Sequence, residues 1–170
     1  MKYLIATARS GSTNLQKYLG KIMPLEQVQK ALIHRVPERY GSMFEYADNL
    51  LTHFPNSFLL DRRDKQLQAE SLCFRKIKYG DAFKHYHHQE YYDTLNDDYI
   101  SNAIINFEEQ SKVIKEISLK YKINILYYED IFKNIEKVQE LGIYHKRLYN
   151  EFLDPKHKSR LINQTPKTIV

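Results

Sequence analysis

A cluster of residue types that bind anions follows the first apolar run of the chain, in the stretch ATARSGSTN. Its arginine supplies a permanent charge on a planar fork that suits tetrahedral oxyanions, and its hydroxyl groups add hydrogen-bond donors. If the chain turns at Gly11 from a strand directly into a helix, several backbone N–H groups and the positive helix end converge there. A simpler interpretation is that Ser12 or Thr13 caps the helix while Arg9 is solvated. The candidate anion-binding residues are Arg9, Ser10, Gly11, Ser12, Thr13 and Asn14.

A second basic cluster follows the apolar run SFLL, where Arg62 and Arg63 are adjacent. Two like charges at a buried strand end are unfavourable unless an anion or a carboxylate lies close to them. We therefore expect one arginine to face a ligand and the other to pair locally with Asp61 or Asp64. Two ordinary salt bridges on a loop are the alternative for either arginine taken alone.

Several other chemistries are disfavoured by the sequence. The chain has no GK[ST] motif and only Gly11 where a nucleoside-triphosphate loop needs two glycines, which disfavours kinases and ATPases. Cys73 is the only cysteine, so an intrachain disulfide and thiol-rich metal sites are excluded. His85, His87 and His88 are close together, but no distant fourth ligand accompanies them, so we expect a polar segment and no metal.

Alternating strand and helix patterns supply the elements that must position the two basic clusters. Short apolar runs predict strands at residues 3–6, 57–60 and 123–128. Apolar residues at helical spacing predict helices at residues 12–22, from the DRRD turn to residue 79, at 99–121 and at about 131–141. Residues 23–55 are predicted to be less regular, and residues 80–98 irregular or loosely helical.

This alternation indicates an α/β fold with a mainly parallel central sheet and helices on both faces. We expect a single domain over residues 1–170, because a second domain would be cramped in a chain of that length. Ligands of such sheets bind at the carboxyl ends of the strands, and both basic clusters follow predicted strands.

Composition adds a weak indication of the ligand and the compartment. The chain carries 26 basic and 21 acidic residues, a net charge of +5, which mildly favours an anionic ligand. An AT-rich genome would supply the lysines and the 14 tyrosines without any binding role. Residues 3–6 are too short for a signal-peptide core, and no later apolar run approaches the roughly 20 residues of a membrane span. We expect a cytoplasmic protein with no membrane partner.

Two stretches together resemble the sulfotransferase family. YLIATARSGSTNLQKYL resembles the phosphosulfate loop, and FLLDRRDKQLQAESL resembles the 3′-phosphate motif, an arginine and a later serine that correspond to Arg63 and Ser71. In style the match is to bacterial and phage carbohydrate sulfotransferases of the trehalose-sulfotransferase type. LYYEDIF and LINQTPKTI resemble later segments of the same fold. The chain departs from the family at Ala8, where proline is usual, and at Val170, where relatives usually begin a closing helix, which suggests a shortened C-terminal end.

The resemblance implies a sulfotransferase architecture, similar to that of the P-loop nucleotide-binding proteins, and a donor, 3′-phosphoadenosine 5′-phosphosulfate. The enzyme would transfer the sulfuryl group to a hydroxyl of an acceptor, a carbohydrate or another small hydroxylated compound. Arg9 and the residues up to Asn14 would bind the phosphosulfate group, with Arg9 as a catalytic residue. Arg63 and Ser71 would bind the 3′-phosphate, and no metal is required.

A hydroxyl acceptor also needs a general base. Family members of this type use a glutamate shortly after the first helix, and the best-placed counterpart is Glu26. The competing candidates for the base are His34, Glu38, Glu45 and His53.

Two alternatives to the enzyme remain open. One is a catalytically inactive, sulfotransferase-like scaffold. The other is a basic module that binds nucleotides or nucleic acids and uses its tyrosines as stacking platforms. The basic residues form no continuous stripe, which disfavours a nucleic-acid partner. Three tyrosines in the 80–98 segment could stack on sugar rings of an acceptor or pack in the core: Tyr86, Tyr91 and Tyr92.

Overall fold

Four parallel strands form one sheet in the computed structural model, which describes residues 1–79 and 97–153. The strands are β1 (Lys2–Ala6), β2 (Val28–Leu32), β3 (Phe58–Asp61) and β4 (Ile125–Tyr127), in the spatial order β2-β1-β3-β4. β1 pairs with β2 and β3, and β3 pairs with β4. Because all the pairs are parallel, the carboxyl ends of the strands meet at one edge of the sheet.

Seven helices accompany the strands in the described residues. They are α1 (Ser12–Ile22), α2 (Met43–His53), α3 (Lys65–Tyr79), α4 (Asp97–Tyr121), α5 (Tyr128–Lys133), α6 (Ile135–Glu140) and α7 (Lys146–Phe152). None of these helices combines the length and the apolar character that a membrane crossing requires.

Both faces of the sheet are buried, because successive strand residues point alternately to opposite sides. Leu4 and Ala6 pack with α1, α5, α6 and α7, whereas Ile5 between them packs with α2 and α4. Leu59 and Leu60 divide between the same two clusters. A parallel sheet covered on both faces requires such continuous apolar strands. A third, smaller cluster joins α3 to α4 beside the end of β1: Ala8, Ala69, Leu72, Tyr99, Ala103 and Phe107.

These features confirm the predicted α/β class and the parallel sheet with helices on both faces. The helix predicted at residues 12–22 coincides with α1, and the three predicted strands end within two residues of β1, β3 and β4. The helix predicted at residues 99–121 is α4, which begins two residues earlier at Asp97.

The prediction for residues 23–55 was wrong, because this region contains β2 and α2. β2 is an edge strand of sequence VQKAL, and its polar residues Gln29 and Lys30 conceal the apolar run that marks a buried strand. α2 begins at a variant of the capping box: the N-cap Ser42 accepts a hydrogen bond through Oγ from the Glu45 N–H, and the Glu45 carboxylate accepts one from the N–H of the preceding Gly41.

The helix predicted at about residues 131–141 is instead two short helices, α5 and α6. Asn134 separates them and caps α6, because its side chain accepts a hydrogen bond from the Lys137 N–H. α7 was not predicted. The irregular segment predicted at 80–98 lies outside the described residues except for its last two, which belong to α4, and the LINQTPKTI segment lies outside them as well.

Candidate anion-binding site

The loop between β1 and α1 is held by hydrogen bonds from two other helices. The Ala8 N–H donates to Gln110 Oε1 of α4 at 2.9 Å, and Gln68 of α3 donates through Nε2 to the Ala8 carbonyl oxygen. Within the loop, Ser10 Oγ donates to the Thr7 carbonyl oxygen at 2.7 Å. The loop is therefore fixed before any ligand binds, as precise recognition requires.

The loop passes through two residues with left-handed backbone conformation before α1 begins. Arg9 has φ 57° and Gly11 has φ 83°. Gly11 is the N-cap of α1, and the helix has no side-chain cap hydrogen bond among the side chains that the structure describes. Ser12 and Thr13 lie inside the helix, so the interpretation of either residue as its cap was wrong. The N–H groups of this turn, which runs to Asn14, have no intrahelical acceptors and lie at the positive end of the helix dipole.

A lysine from the edge strand also reaches the first turn of α1. Lys30 Nζ donates a hydrogen bond to Thr13 Oγ1 at 2.9 Å. Lys30 lies opposite Leu4 of β1, on the sheet face that α1 covers. Its ammonium group therefore adds positive charge to the same end of the helix.

Arg9 and Ser71, from the two basic motifs, are in direct contact. The Arg9 guanidinium donates from Nε and Nη2 to Ser71 Oγ, at 3.2 and 2.9 Å. Ser71 is buried on α3, and Arg9 is partly buried. The structure thus brings together one residue from each motif, although they lie 62 positions apart in the chain.

Asp61, at the end of β3, links the surrounding elements. Its side chain is almost fully buried, and Oδ1 accepts hydrogen bonds from Thr7 Oγ1 at 3.0 Å and from Ser111 Oγ at 2.9 Å. The same oxygen accepts from the Arg62 N–H at 2.8 Å and forms an ion pair with Lys65 Nζ at 3.1 Å. Loop, strand and two helices therefore meet at one carboxylate.

Arg62 is buried behind the β1–α1 loop. Only 8% of the residue is exposed, and its guanidinium lies over the Tyr128 ring at 4.1 Å from the centroid. Nη1 donates a long hydrogen bond of 3.4 Å to the Arg9 carbonyl oxygen, and Nε has no hydrogen-bond partner in the described part of the chain. Burial lowers the pKa of this guanidinium, and the nearby Tyr128 and Glu129 offset part of that effect.

Arg63 has the opposite environment, because its side chain is half exposed and paired. Its guanidinium donates to both carboxylate oxygens of Asp130 at 3.0 Å and lies 3.9 Å from the Tyr127 ring centroid. The hydrogen bond to Asp130 raises the pKa of Arg63. The expected local ion pair therefore exists, but its partner is Asp130 rather than Asp61 or Asp64. β3 and β4 are neighbours, and α5 follows β4 at once, so its carboxylates reach the end of β3.

The backbone at the start of α3 is also occupied by a carboxylate. Glu129 accepts hydrogen bonds from the Arg63 N–H at 2.9 Å and from the Asp64 N–H at 3.0 Å. Asp64 in turn caps α3 by accepting from the Leu67 N–H at 3.0 Å. Glu129 and Asp130 of α5 together cover the basic turn that follows β3.

The structure places Glu26, the predicted general base, at the amino ends of the strands, which is the sheet edge opposite to Arg9. Its carboxylate lies 3.7 Å from the terminal amino group of Met1, and the neighbouring Gln27 carbonyl accepts a hydrogen bond from Lys2, the first residue of β1. Arg9 follows the other end of β1, about 16 Å away along a five-residue strand. Glu26 therefore cannot accept a proton from an acceptor bound near Arg9, and we correct that assignment.

Two of the competing candidates lie at the correct edge. His34 follows Ile33, whose N–H donates to the Ala6 carbonyl at the end of β1, and Glu38 lies in the same connection from β2 to α2. Glu45 is used in the capping box of α2. His53 lies in the last turn of α2, where its ring nitrogen contacts the Asn49 carbonyl.

Few features of the sequence indicate the buried polar residues that organise the site. Gln110 and Ser111 interrupt the apolar face of α4 side by side, which was the available signal, and both are buried. Lys65 is the first residue of α3 and Gln68 lies about one turn later, and residues of these types are common in any helix. Lys30 was missed because β2 was not predicted.

The described residues contain no group of three or more histidine, cysteine or acidic side chains that could hold a metal ion. The three clustered histidines, His85, His87 and His88, lie outside the described residues. Comparison of the chain with protein-family models gave no match, and comparisons with curated proteins and with solved structures gave none either.

Proposed function

We propose that the protein is a sulfotransferase that moves the sulfuryl group of 3′-phosphoadenosine 5′-phosphosulfate to a hydroxyl of a small acceptor, foremost a carbohydrate. The observation that carries the proposal is the contact between Arg9 and Ser71 beside the uncapped first turn of α1. It joins the phosphosulfate-like loop to the 3′-phosphate-like motif in one anion-binding region. The fold would then be of the sulfotransferase type, and the reaction would take place in the cytoplasm.

The chemistry requires stabilisation of charge on the donor phosphate. The bond between sulfur and the bridging oxygen breaks, a bond from sulfur to the acceptor oxygen forms, and negative charge builds on the departing phosphate. Arg9 and the N–H groups of Gly11 to Thr13 would stabilise this charge, at a few kcal/mol for each well-placed donor. The proton of the acceptor hydroxyl would pass to His34 or Glu38, the two candidates at this edge of the sheet.

The 3′-phosphate would distinguish the donor from ATP. Ser71 can donate its hydroxyl hydrogen to this phosphate while it accepts from Arg9. Arg63 would bind the phosphate by exchanging its present partner Asp130 for the ligand. Exchange is feasible because the Arg63 side chain of this ion pair is half exposed, and ion pairs near the surface contribute little net stability.

The first test is a calorimetric titration with adenosine 3′,5′-bisphosphate, the desulfonated product, beside ADP and AMP. We expect tight binding only when the 3′-phosphate is present. Arg63→Ala should weaken that binding strongly, and Arg9→Ala should lower turnover more than affinity. Lys137→Ala, which removes an exposed helix ion pair to Glu140, serves as the control. Equal or absent binding of all three nucleotides would refute the proposal and favour a scaffold or a general nucleic-acid module.

A further inference from the structure

Arg62 is a buried cation that lacks an ion-pair partner in the described part of the chain. We infer that Arg62 is a direct ligand of the sulfate or phosphate group that binds at the first turn of α1, so that the site uses two arginines rather than Arg9 alone. The identity of the ligand as a phosphosulfate nucleotide rests on the proposed function. The role of Arg62 as an anion ligand does not.

The packing directs Arg62 to the start of α1. Its guanidinium stacks on the Tyr128 ring, and Tyr128 Cδ2 lies 3.0 Å from the position that a Cβ on Gly11 would occupy. The Tyr128 ring therefore lies between the Arg62 guanidinium and Gly11, the N-cap of α1. Nη1 approaches the loop directly, at 3.4 Å from the Arg9 carbonyl. Both arginines thus border the same uncapped helix end.

The energetics favour an anion beside the Arg62 guanidinium. A buried charge without a paired counter-ion is costly, and a buried donor without an acceptor adds to that cost. The buried carboxylate of Asp61 is already engaged by Thr7, Ser111 and Lys65. Glu129, Asp64 and Glu70 act on the charge of Arg62, but none of them forms an ion pair with it in the described residues. An oxyanion at the start of α1 would supply both the countercharge and an acceptor for the guanidinium.

Arg63 provides a matched comparison, because it is adjacent in sequence but exposed and paired with Asp130. Removal of Arg63 would leave the α1 position intact and affect the 3′-phosphate alone. Removal of Arg62 would remove a ligand of the group at α1, which sulfate by itself can occupy. Substitution of Arg62 should therefore weaken the binding of both sulfate and the nucleotide, whereas substitution of Arg63 should weaken the binding of the nucleotide alone.

The experiment measures thermal unfolding of the parent, Arg62→Met, Arg62→Lys and Arg63→Met, each with sodium sulfate, with adenosine 3′,5′-bisphosphate and with neither, at constant ionic strength. The parent should be stabilised by both ligands. Arg62→Met should melt no lower than the parent without ligand, because the methionine fills the stack without a buried charge. It should bind either ligand about 30-fold or more weakly. Arg62→Lys should keep part of the stabilisation, and Arg63→Met should keep all of the stabilisation by sulfate.

The inference is overturned if Arg62→Met keeps the parent's ligand stabilisation, or if both Arg62 variants melt well below the parent without ligand, since Arg62 is then structural. It is also overturned if the parent responds to neither ligand. Stabilisation of the parent by sulfate but not by the nucleotide, lost in Arg62→Met, would support the inference while the proposed function fails.

Discussion

Arg62 and Arg63 show how adjacent residues of one type acquire different properties from their surroundings. Both arginines follow the end of β3 directly, yet one guanidinium is enclosed against Tyr128 and the other emerges beside Asp130. Arg62 forms no ion pair in the described residues, whereas the charge of Arg63 is balanced by Asp130. The sequence predicted that one arginine would pair locally, but the buried position of the other depends on α5, which lies more than 60 residues later.

In the proposed function, Asp130 would compete with an anionic ligand for Arg63, which leads to a prediction about affinity. Asp130→Asn removes the competing charge and leaves Arg63 available, so we expect adenosine 3′,5′-bisphosphate to bind several-fold more tightly. The stability of the protein should change little, because the pair is half exposed. Calorimetry on the parent and the variant measures the affinity. Glu140→Gln, which breaks the exposed pair with Lys137, is the control, and unchanged or weaker binding by Asp130→Asn would contradict the exchange of partners.

At the scale of elements, the short helix α5 covers both basic turns. Tyr128 and Phe132 pack against Gly11, while Glu129 and Asp130 hold the backbone and side chain of Arg63. A movement of α5 would therefore change the start of α1 and the start of α3 together. The aromatic contacts continue from Phe132 to Phe152 of α7, with ring centroids 4.8 Å apart.

The start of α1 depends on the absence of a side chain at Gly11. Gly11→Ala would place a methyl group 2.9 Å from Phe132 and 3.0 Å from Tyr128, at a residue with φ 83°. We expect a loss of stability of more than about 1 kcal/mol and a marked loss of affinity for adenosine 3′,5′-bisphosphate. Thermal unfolding and calorimetry measure the two effects.

Gly20→Ala is the matched control for this change. Gly20 lies inside the same helix with no atoms near its Cβ position, so alanine should leave binding unchanged and stabilise the protein by up to about 1 kcal/mol. If Gly11→Ala behaves like Gly20→Ala, the close packing of α5 on the helix start is not essential.

The sequence predicted elements best where one face is uniformly apolar. α1 carries Leu15, Tyr18 and Leu19 at helical spacing, and its bounds were predicted correctly. β2 was missed because an edge strand needs only one well-buried face and can carry Gln29 and Lys30. The loop of Arg9 was recognisable from residue types alone. Its contacts with Gln68 and Gln110 were not, because they depend on how α3 and α4 pack.

At the scale of the whole molecule, Asp61 joins elements from both halves of the chain. The loop after β1, the start of α3 and the middle of α4 each donate to its carboxylate.

The general base was misassigned at the scale of the whole molecule too, because the distance from Glu26 to Arg9 becomes apparent only when the direction of β1 is known.

Loss of the Asp61 charge should destabilise the whole protein. Asp61→Asn leaves the partly buried Lys65 without its counter-ion, at a cost of about 3 kcal/mol, or a fall in melting temperature of about 6–12 °C. Asp48→Asn, at a carboxylate on α2 that pairs with the half-exposed Lys120, should change the melting temperature little at pH 7.

Melting temperatures of the parent and of Asp48→Asn, measured over a series of pH values, extend this comparison. Hydrogen bonds from Lys120 and Tyr121 lower the pKa of Asp48, so its small contribution is present above the unfolded pKa and disappears as the pH falls through the folded one. Similar losses of stability in Asp61→Asn and Asp48→Asn at pH 7 would show that Asp61 does not have the central role described.

The hydrogen bond between Ala8 and Gln110 joins residues that are 102 positions apart. Closing so long a loop carries an entropic cost that only a largely assembled chain can offset. The β1–α1 loop is synthesised before α4 but acquires its final shape only after α4 has been synthesised and has docked. During synthesis β1 and α1 therefore exist before the proposed anion-binding site does, and a nascent chain would gain affinity for an anion late, as a consequence of folding rather than of local sequence.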